Sequence, residues 1–180
     1  MQPTHLPASR LRRWRRHGAT LAWLLLALLG VHAWQTRHVP SGPAPDFRAS
    51  AVAAQAGATM SLTQWRAAHP GQPVALNFWA EWCPVCKLEQ DNVSRVANHW
   101  PVLTVALRSG DAATVQRELA RRSLHWAAVT DPQGEIAAAY GVTAVPAFIV
   151  LDADGRIRAS SVGYTTTAGL WLRLAWAGWR

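Results

Sequence analysis

Two almost wholly apolar runs, "PVALNFWA" (residues 73–80) and "PVLTVALR" (101–108), are each followed by a stretch of helical pattern, and this alternation limits the fold more than any other feature. A short apolar run bounded by turn residues reads as a strand buried on both faces. After the first run Pro84 opens a helix through "VCKLEQDNVSRVANHW", since proline is tolerated in a first turn. After the second, "DAATVQRELARR" has an Asp start, Val115 and Leu119 four apart, and Arg near its end. Strand, helix, strand, helix implies parallel strands covered by helices.

Downstream, "WAAVTD" reads as a further strand and "GEIAAAYGV" as a short helix closed by Gly141. "VPAFIVLDADGRIRASSVG" reads as a hairpin turned at Asp154 and Gly155, so the sheet should be mixed. "DADG" lacks the later ligands of a calcium loop and reads as the turn itself. "TTTAGLWLRLAWAGWR" closes the chain as a helix whose Leu172, Trp176 and Trp179 fall on one face; Trp171, Trp176 and Trp179 are expected to pack on the sheet. Upstream, "SLTQWRAA" is a short helix starting at Ser61, while the Ala-rich segment between Ser50 and Met60 fits no element clearly.

The formal charge of +8 suggests nucleic acid until it is located. Residues 1–45 hold six Arg and no acid, leaving 12 Lys and Arg against 10 Asp and Glu in the remainder. Phosphate binding needs a positive stripe on the folded surface, so no nucleic-acid partner is expected. Instead the Arg-rich start, residues 1–17, reads as a basic cytoplasmic tail in front of "HGATLAWLLLALLGVHAWQT", twenty residues without a charged side chain. A helix of that length covers about 30 Å, one hydrocarbon core, so residues 18–36 are expected to be a retained transmembrane anchor or uncleaved signal. A cleaved signal peptide ending at "VHA" is the alternative. The positive-inside rule keeps the Arg-rich flank cytoplasmic and puts everything after Arg37 on the far side of a single span. Three prolines in "HVPSGPAPDF" make 37–45 a linker, and the globular domain should occupy 46–180.

Both cysteines lie in "NFWAEWCPVCKLE", residues 77–89, and three readings of the pair stand open. A disulfide staple around two intervening residues removes little unfolded-state entropy. A zinc site needs about two further ligands, and the histidines show neither metal nor triad spacing. Monovalent copper carriage by the dithiol is chemically apt, since soft thiolates suit it. Redox exchange fits the positions better: Cys83 stands where the helix begins, so free N–H groups and the positive helix end favour its thiolate as the attacking sulfur. Cys86, one turn inside, is the resolving sulfur. Glu89 is three residues further on the same side and could accept the proton that Cys86 must lose. Pro84 and Val85 add no charge between the cysteines, Glu81 and Lys87 read as solvated flank charges, and Trp79 reads as core.

"FWAEWCPVCK" followed by "VPAFIVLDADGRI" resembles the thioredoxin superfamily over about residues 44–180. The resemblance implies a thioredoxin-like α/β fold, a central mixed sheet with helices on both faces. It implies that Trp82 shapes the active-site surface, and that Pro146, in cis after Val145, packs beside the dithiol and offers backbone to the client chain. Trp82, Pro84, Val85 and Val145 are then the substrate-binding set, and Cys83, Cys86, Glu89 and Pro146 the catalytic one. Asn77 stands where ordinary thioredoxin has a buried Asp, which moves the proton-acceptor role toward Glu89. The tethered arrangement and "APDF" entry look like the TlpA/DsbE-like branch, which implies that the membrane is a bacterial inner membrane and that the domain faces the periplasm. "VALRSGD", "VTDPQGEIAAAYGVTAVP" and "GYTTTAGLWLRLAWA" look closest to the suppressor for copper sensitivity protein D group. The expected function is a membrane-anchored periplasmic protein thiol-disulfide oxidoreductase, a reductant for client proteins recharged by a membrane electron donor of the DsbD type. It needs no cofactor or metal beyond its Cys83–Cys86 disulfide. A copper-binding or copper-stress module and a protein disulfide oxidase are the alternatives.

Overall fold

The computed structural model describes residues 8–52 and 57–179. The chain forms two compact units, Met1–Gln35 and Thr36–Arg180. The first is occupied by helix α1, Ala8–Thr36, and the first seven residues of the expected basic tail lie outside the described residues.

The expected membrane anchor is overturned: no helix among the described residues is long and apolar enough to cross a membrane. Lack of charge over residues 17–36 is not the same as apolarity. The continuous apolar run is Leu21 to Val31, eleven residues, which as helix covers about 16 Å, half a hydrocarbon core. His17 and Thr20 precede it, and His32, Gln35 and Thr36 follow it. With the anchor fall the single-pass topology, the inner-membrane and periplasm-facing placement, and the membrane-anchored form of the function.

The second unit is a mixed sheet between two sets of helices, as the strand and helix pattern predicts. Its strands are β1 (Gly42–Pro43), β4 (Val74–Trp79), β5 (Val102–Leu107), β6 (Ala127–Asp131), β7 (Ala147–Leu151) and β8 (Arg156–Val162), in the order β1-β8-β7-β4-β5-β6. β4, β5 and β6 run parallel; β7 and β8 are antiparallel to their neighbours. β2 (Arg48–Ser50) and β3 (Thr59–Ser61) form a separate antiparallel pair at the two ends of the Ala-rich segment that fitted no element, whose residues 53–56 lie outside the described residues. The segment expected as linker contributes β1, which pairs with β8 at the sheet's edge. At the opposite edge Ala51 bridges Val129 and the Val52 N–H donates to the Ala128 carbonyl.

Alternation along β4 sorts the core. Val74, Leu76 and Phe78 join Leu62 of α2 (Leu62–Ala67) and Ile136 and Ala137 of α5 (Glu135–Ala139) on one face. Ala75 and Trp79 join α3 (Pro84–Ala97), α4 (Ala112–Arg121) and α6 (Thr167–Gly178) on the other. Ser61 caps α2 with a reciprocal capping box through Gln64, and Asp111 caps α4 through the Thr114 N–H. Gly141 has φ +62°, and a Cβ there would run into the His38 carbonyl, so only glycine fits this turn.

The face of α6 differs from expectation. Leu170, Leu174 and Ala177 are buried, while Leu172 is 70% and Trp179 90% exposed and Trp171 and Trp176 are about half exposed. The helix is apolar on every side, so the spacing i, i+4, i+7 fits more than one stripe, and the compact Leu and Ala side chains pack closer to the sheet than Trp could. Trp171 instead meets Trp100 edge to face at 5.8 Å. Leu174→Ala should therefore cost about 2–5 kcal/mol, whereas Leu172→Ala should stay within about 0.5 kcal/mol, as measured by urea denaturation. Equal costs would return Leu172 to the core.

Candidate active site

The strand-to-helix junction after β4 is built by backbone hydrogen bonding around Cys83. Cys83 is the N-cap of α3, in extended conformation, with Pro84 in the first turn, where no N–H is needed. The Cys86 N–H donates to Cys83 Sγ at 3.1 Å, so a sulfur serves the place usually taken by a Ser or Asp oxygen. Cys83 and Cys86 form a disulfide with Cα atoms 5.3 Å apart. They are almost equally shielded, at 3% and 4% exposure, so accessibility does not separate the two sulfurs; the amide directed at Cys83 does.

The other wall is the Val145–Pro146 peptide, which is cis as the resemblance implied, and the Val145 carbonyl oxygen lies 3.6 Å from Cys83 Sγ. Pro146 is buried, while Trp82, Pro84 and Val85 form an exposed rim. The structure thus brings Cys83, Cys86, Pro84, Val85, Val145 and Pro146 together. Trp82 is held by its indole N–H, which donates to the Arg108 carbonyl at 3.3 Å. Beside it the Glu81 N–H donates to Ser109 Oγ and the Arg122 guanidinium donates to the Glu81 carbonyl. Arg122 is also ion-paired with Glu118, whose carboxyl two Arg partners hold down at about 2. Lys87 is exposed as expected; Glu81 is half-buried and engaged through its backbone. Trp79 is in the core, edge to face with Trp126.

Asn77 is buried on the strand face shared with Ala75 and Trp79, and among the described residues its Oδ1 has no hydrogen-bond partner. The buried ionisable group nearest in sequence to the cysteines is Glu89, 2% exposed on α3 one turn beyond Cys86. Burial pushes its carboxyl up to about 7, against the lowering effect of the Thr165 N–H, which donates to Oε1 at 2.6 Å. A carboxyl poised there can exchange a proton near neutral pH.

Sequence reasoning missed the groups that hold this arrangement: Asn92, Thr165, Arg108 and Ser109. For Asn92 a signal existed. Cys86, Glu89 and Asn92 recur at helical spacing with Val93 and Val96, so two polar side chains occupy the buried stripe of α3. Thr165 acts through its backbone, which no side-chain pattern announces. Among the described residues no group of three or more His, Cys, Asp or Glu could hold a metal ion.

A thioredoxin-like fold with a redox-active disulfide at this junction is consistent with thiol-disulfide oxidoreductase activity, and the comparisons agree. The chain is 33% identical over 107 residues to a thioredoxin-like protein of Haemophilus influenzae, covering 59% of this chain and 64% of that one. It is 33% identical over 98 residues to a thiol:disulfide interchange protein DsbE homolog of Paracoccus denitrificans, covering 54% of each. The chain thus spans between half and two thirds of the length of these curated relatives. A secreted thiol-disulfide isomerase from Corynebacterium glutamicum shares the fold, with TM-score 0.65 and 22% identity over 76% of this chain and 85% of that one. Since residues 40–169 match the Redoxin family as well, the chain belongs to that family, within the thioredoxin superfamily and beside the DsbE/TlpA-like thiol-disulfide oxidoreductases.

Proposed function

We propose that the protein reduces disulfides in client proteins through Cys83 and Cys86. The observation that carries this is the Cys86 N–H aimed at Cys83 Sγ at the start of α3, which favours negative charge on that sulfur. In the reduced protein the Cys83 thiolate attacks one sulfur of a client disulfide, forming a mixed disulfide and releasing the client's other sulfur as a thiolate. Cys86 gives its proton to Glu89 and attacks Cys83 Sγ, which releases the second client thiolate. The client gains two electrons and the Cys83–Cys86 disulfide closes. Val145 and Pro146 present backbone to the client, with Trp82, Pro84 and Val85 as the contacting rim.

Turnover requires an electron source. The resemblance to relatives named DsbE supports a membrane electron donor of the DsbD type. The wording of "VTDPQGEIAAAYGVTAVP" and "GYTTTAGLWLRLAWA" supports placement near the suppressor for copper sensitivity protein D group.

Cys83→Ser should reduce insulin reduction by dithiothreitol to the rate without protein; undiminished turnover ends this reading. Cys86→Ala should instead accumulate mixed disulfides with clients, visible on non-reducing gels. Direction is set by the reduction potential measured against a glutathione series: a value near about −270 mV makes the protein a reductant, and one near about −120 mV an oxidant.

Glu89 also ties stability to pH. Its folded-state carboxyl titrates near 7 against an ordinary 4.5, so the folded state retains a proton that the unfolded chain has lost. Stability is fully present below pH 4.5 and falls as pH rises through about 7. The full difference is on the order of 3 kcal/mol at about 1.4 kcal/mol per unit. In urea denaturation of the oxidised protein, Glu89→Gln should remove this decline; an equal decline in both proteins would place the titrating group elsewhere.

A further inference from the structure

The loop between β8 and α6 touches both walls of the site. Its Gly163 N–H donates to the Pro146 carbonyl at 2.8 Å, and two residues later the Thr165 N–H donates to Glu89 Oε1 at 2.6 Å. Both bonds depend on where the loop backbone lies. One side chain of α3 grips that loop at two points and the first residue of α6 at a third. Asn92 Nδ2 donates to the Thr165 carbonyl and to the Tyr164 hydroxyl, each at 3.1 Å, and its Oδ1 accepts from the Thr167 hydroxyl at 2.8 Å. Asn92 is buried, so these bonds use both amide protons and the carbonyl oxygen away from competing water.

We propose that Asn92 is a positioning residue for Glu89: by clamping the β8–α6 loop to α3 it keeps the Thr165 N–H on the Glu89 carboxylate and the same loop on Pro146. This rests on the proton-acceptor role proposed for Glu89. The geometry is local and closed, because Thr165 is held by Asn92 through its C=O and holds Glu89 through its N–H. Asn92 lies three residues beyond Glu89, on the same stripe of the helix.

Other charges do not obscure this link. Among the described residues no ion pair reaches Glu89. On α3 itself Lys87, Asp91 and Arg95 are exposed, and Cys86 is in the disulfide. Of the elements packed against α3, the loop brings Tyr164, whose hydroxyl accepts from Asn92, and α6 brings Arg173, whose guanidinium donates to the Gly169 carbonyl. β7 carries no ionisable side chain, and on β8 Arg158 is paired with Asp152 while Arg156 is exposed. The Thr165 N–H is therefore the polar group that favours the charged carboxylate, and Asn92 holds it there.

The test is the pH midpoint of Glu89 in the full-length oxidised protein, read from the carboxyl stretch in difference infrared titration with Glu89→Gln as the blank. The pH profile of insulin reduction is recorded in parallel. Asn92→Ala should raise the midpoint by about one pH unit, the worth of one hydrogen bond to a charged group. Thr167→Val, which deletes one of the three anchors and keeps the side-chain volume, should raise it in the same direction by less. An unchanged midpoint in Asn92→Ala overturns the proposal even if activity falls, because a merely structural residue lowers rate at every pH without moving the titration. Should Asn92→Ala fail to fold, an unchanged midpoint in Thr167→Val overturns it. If Glu89→Gln leaves the pH profile of insulin reduction unaltered, the proton-acceptor role fails, whereas the infrared midpoint still judges the Asn92 clamp.

Discussion

The site depends on one local hydrogen bond, the amide of Cys86 donated to the sulfur of Cys83. A helix must leave its first N–H groups without intrahelical partners, and a buried one must be satisfied. Here the group that satisfies it is one sulfur of the disulfide, the one that the proposed chemistry uses as its thiolate. In that proposal, capping the helix and stabilising the thiolate are the same act. The buried strand β4 sets where the junction lies, because Val74 to Trp79 are sealed on both faces. Pro84 then starts the helix without adding another donor to be satisfied.

A second constraint works against burial. α3 covers the sheet with the stripe that carries Cys86, Val93 and Val96, and a carboxyl on that stripe loses its hydration. Glu89 is tolerated because the Thr165 amide returns part of what water supplied. The balance between the two leaves the group near neutrality, which neither a surface glutamate nor a fully isolated one would show.

Much of this was legible in the chain because it rests on strong local signals. "PVALNFWA" and "PVLTVALR" are β4 and β5, and the change to antiparallel pairing followed from the turn at Asp154 and Gly155. Cys83 at the cap and Glu89 one turn beyond Cys86 followed from helical spacing alone. What was not legible has physical reasons. A helix apolar on all sides gives no phase, so Leu172 and Leu174 exchanged roles. An uncharged stretch was taken for an apolar one, although His17, Thr20, His32 and Gln35 dilute it. Asn92 and Thr165 act across 73 residues of chain, and such pairings exist only once the sheet has brought β8 and α3 together.

The backbone between Gly42 and Val52 acts as a strap across the sheet: it pairs with β8 at one margin and bridges β6 at the other. Open sheet margins are where chains add to one another, and this short run screens part of both. Proteolytic loss of everything before Ala58 would bare the two margins at once, while the cysteine junction, which draws on no residue of the strap, would keep its own hydrogen bonds. One short run of backbone thus occupies hydrogen-bonding groups on both outer strands of the sheet, and does so without touching the junction that holds the disulfide.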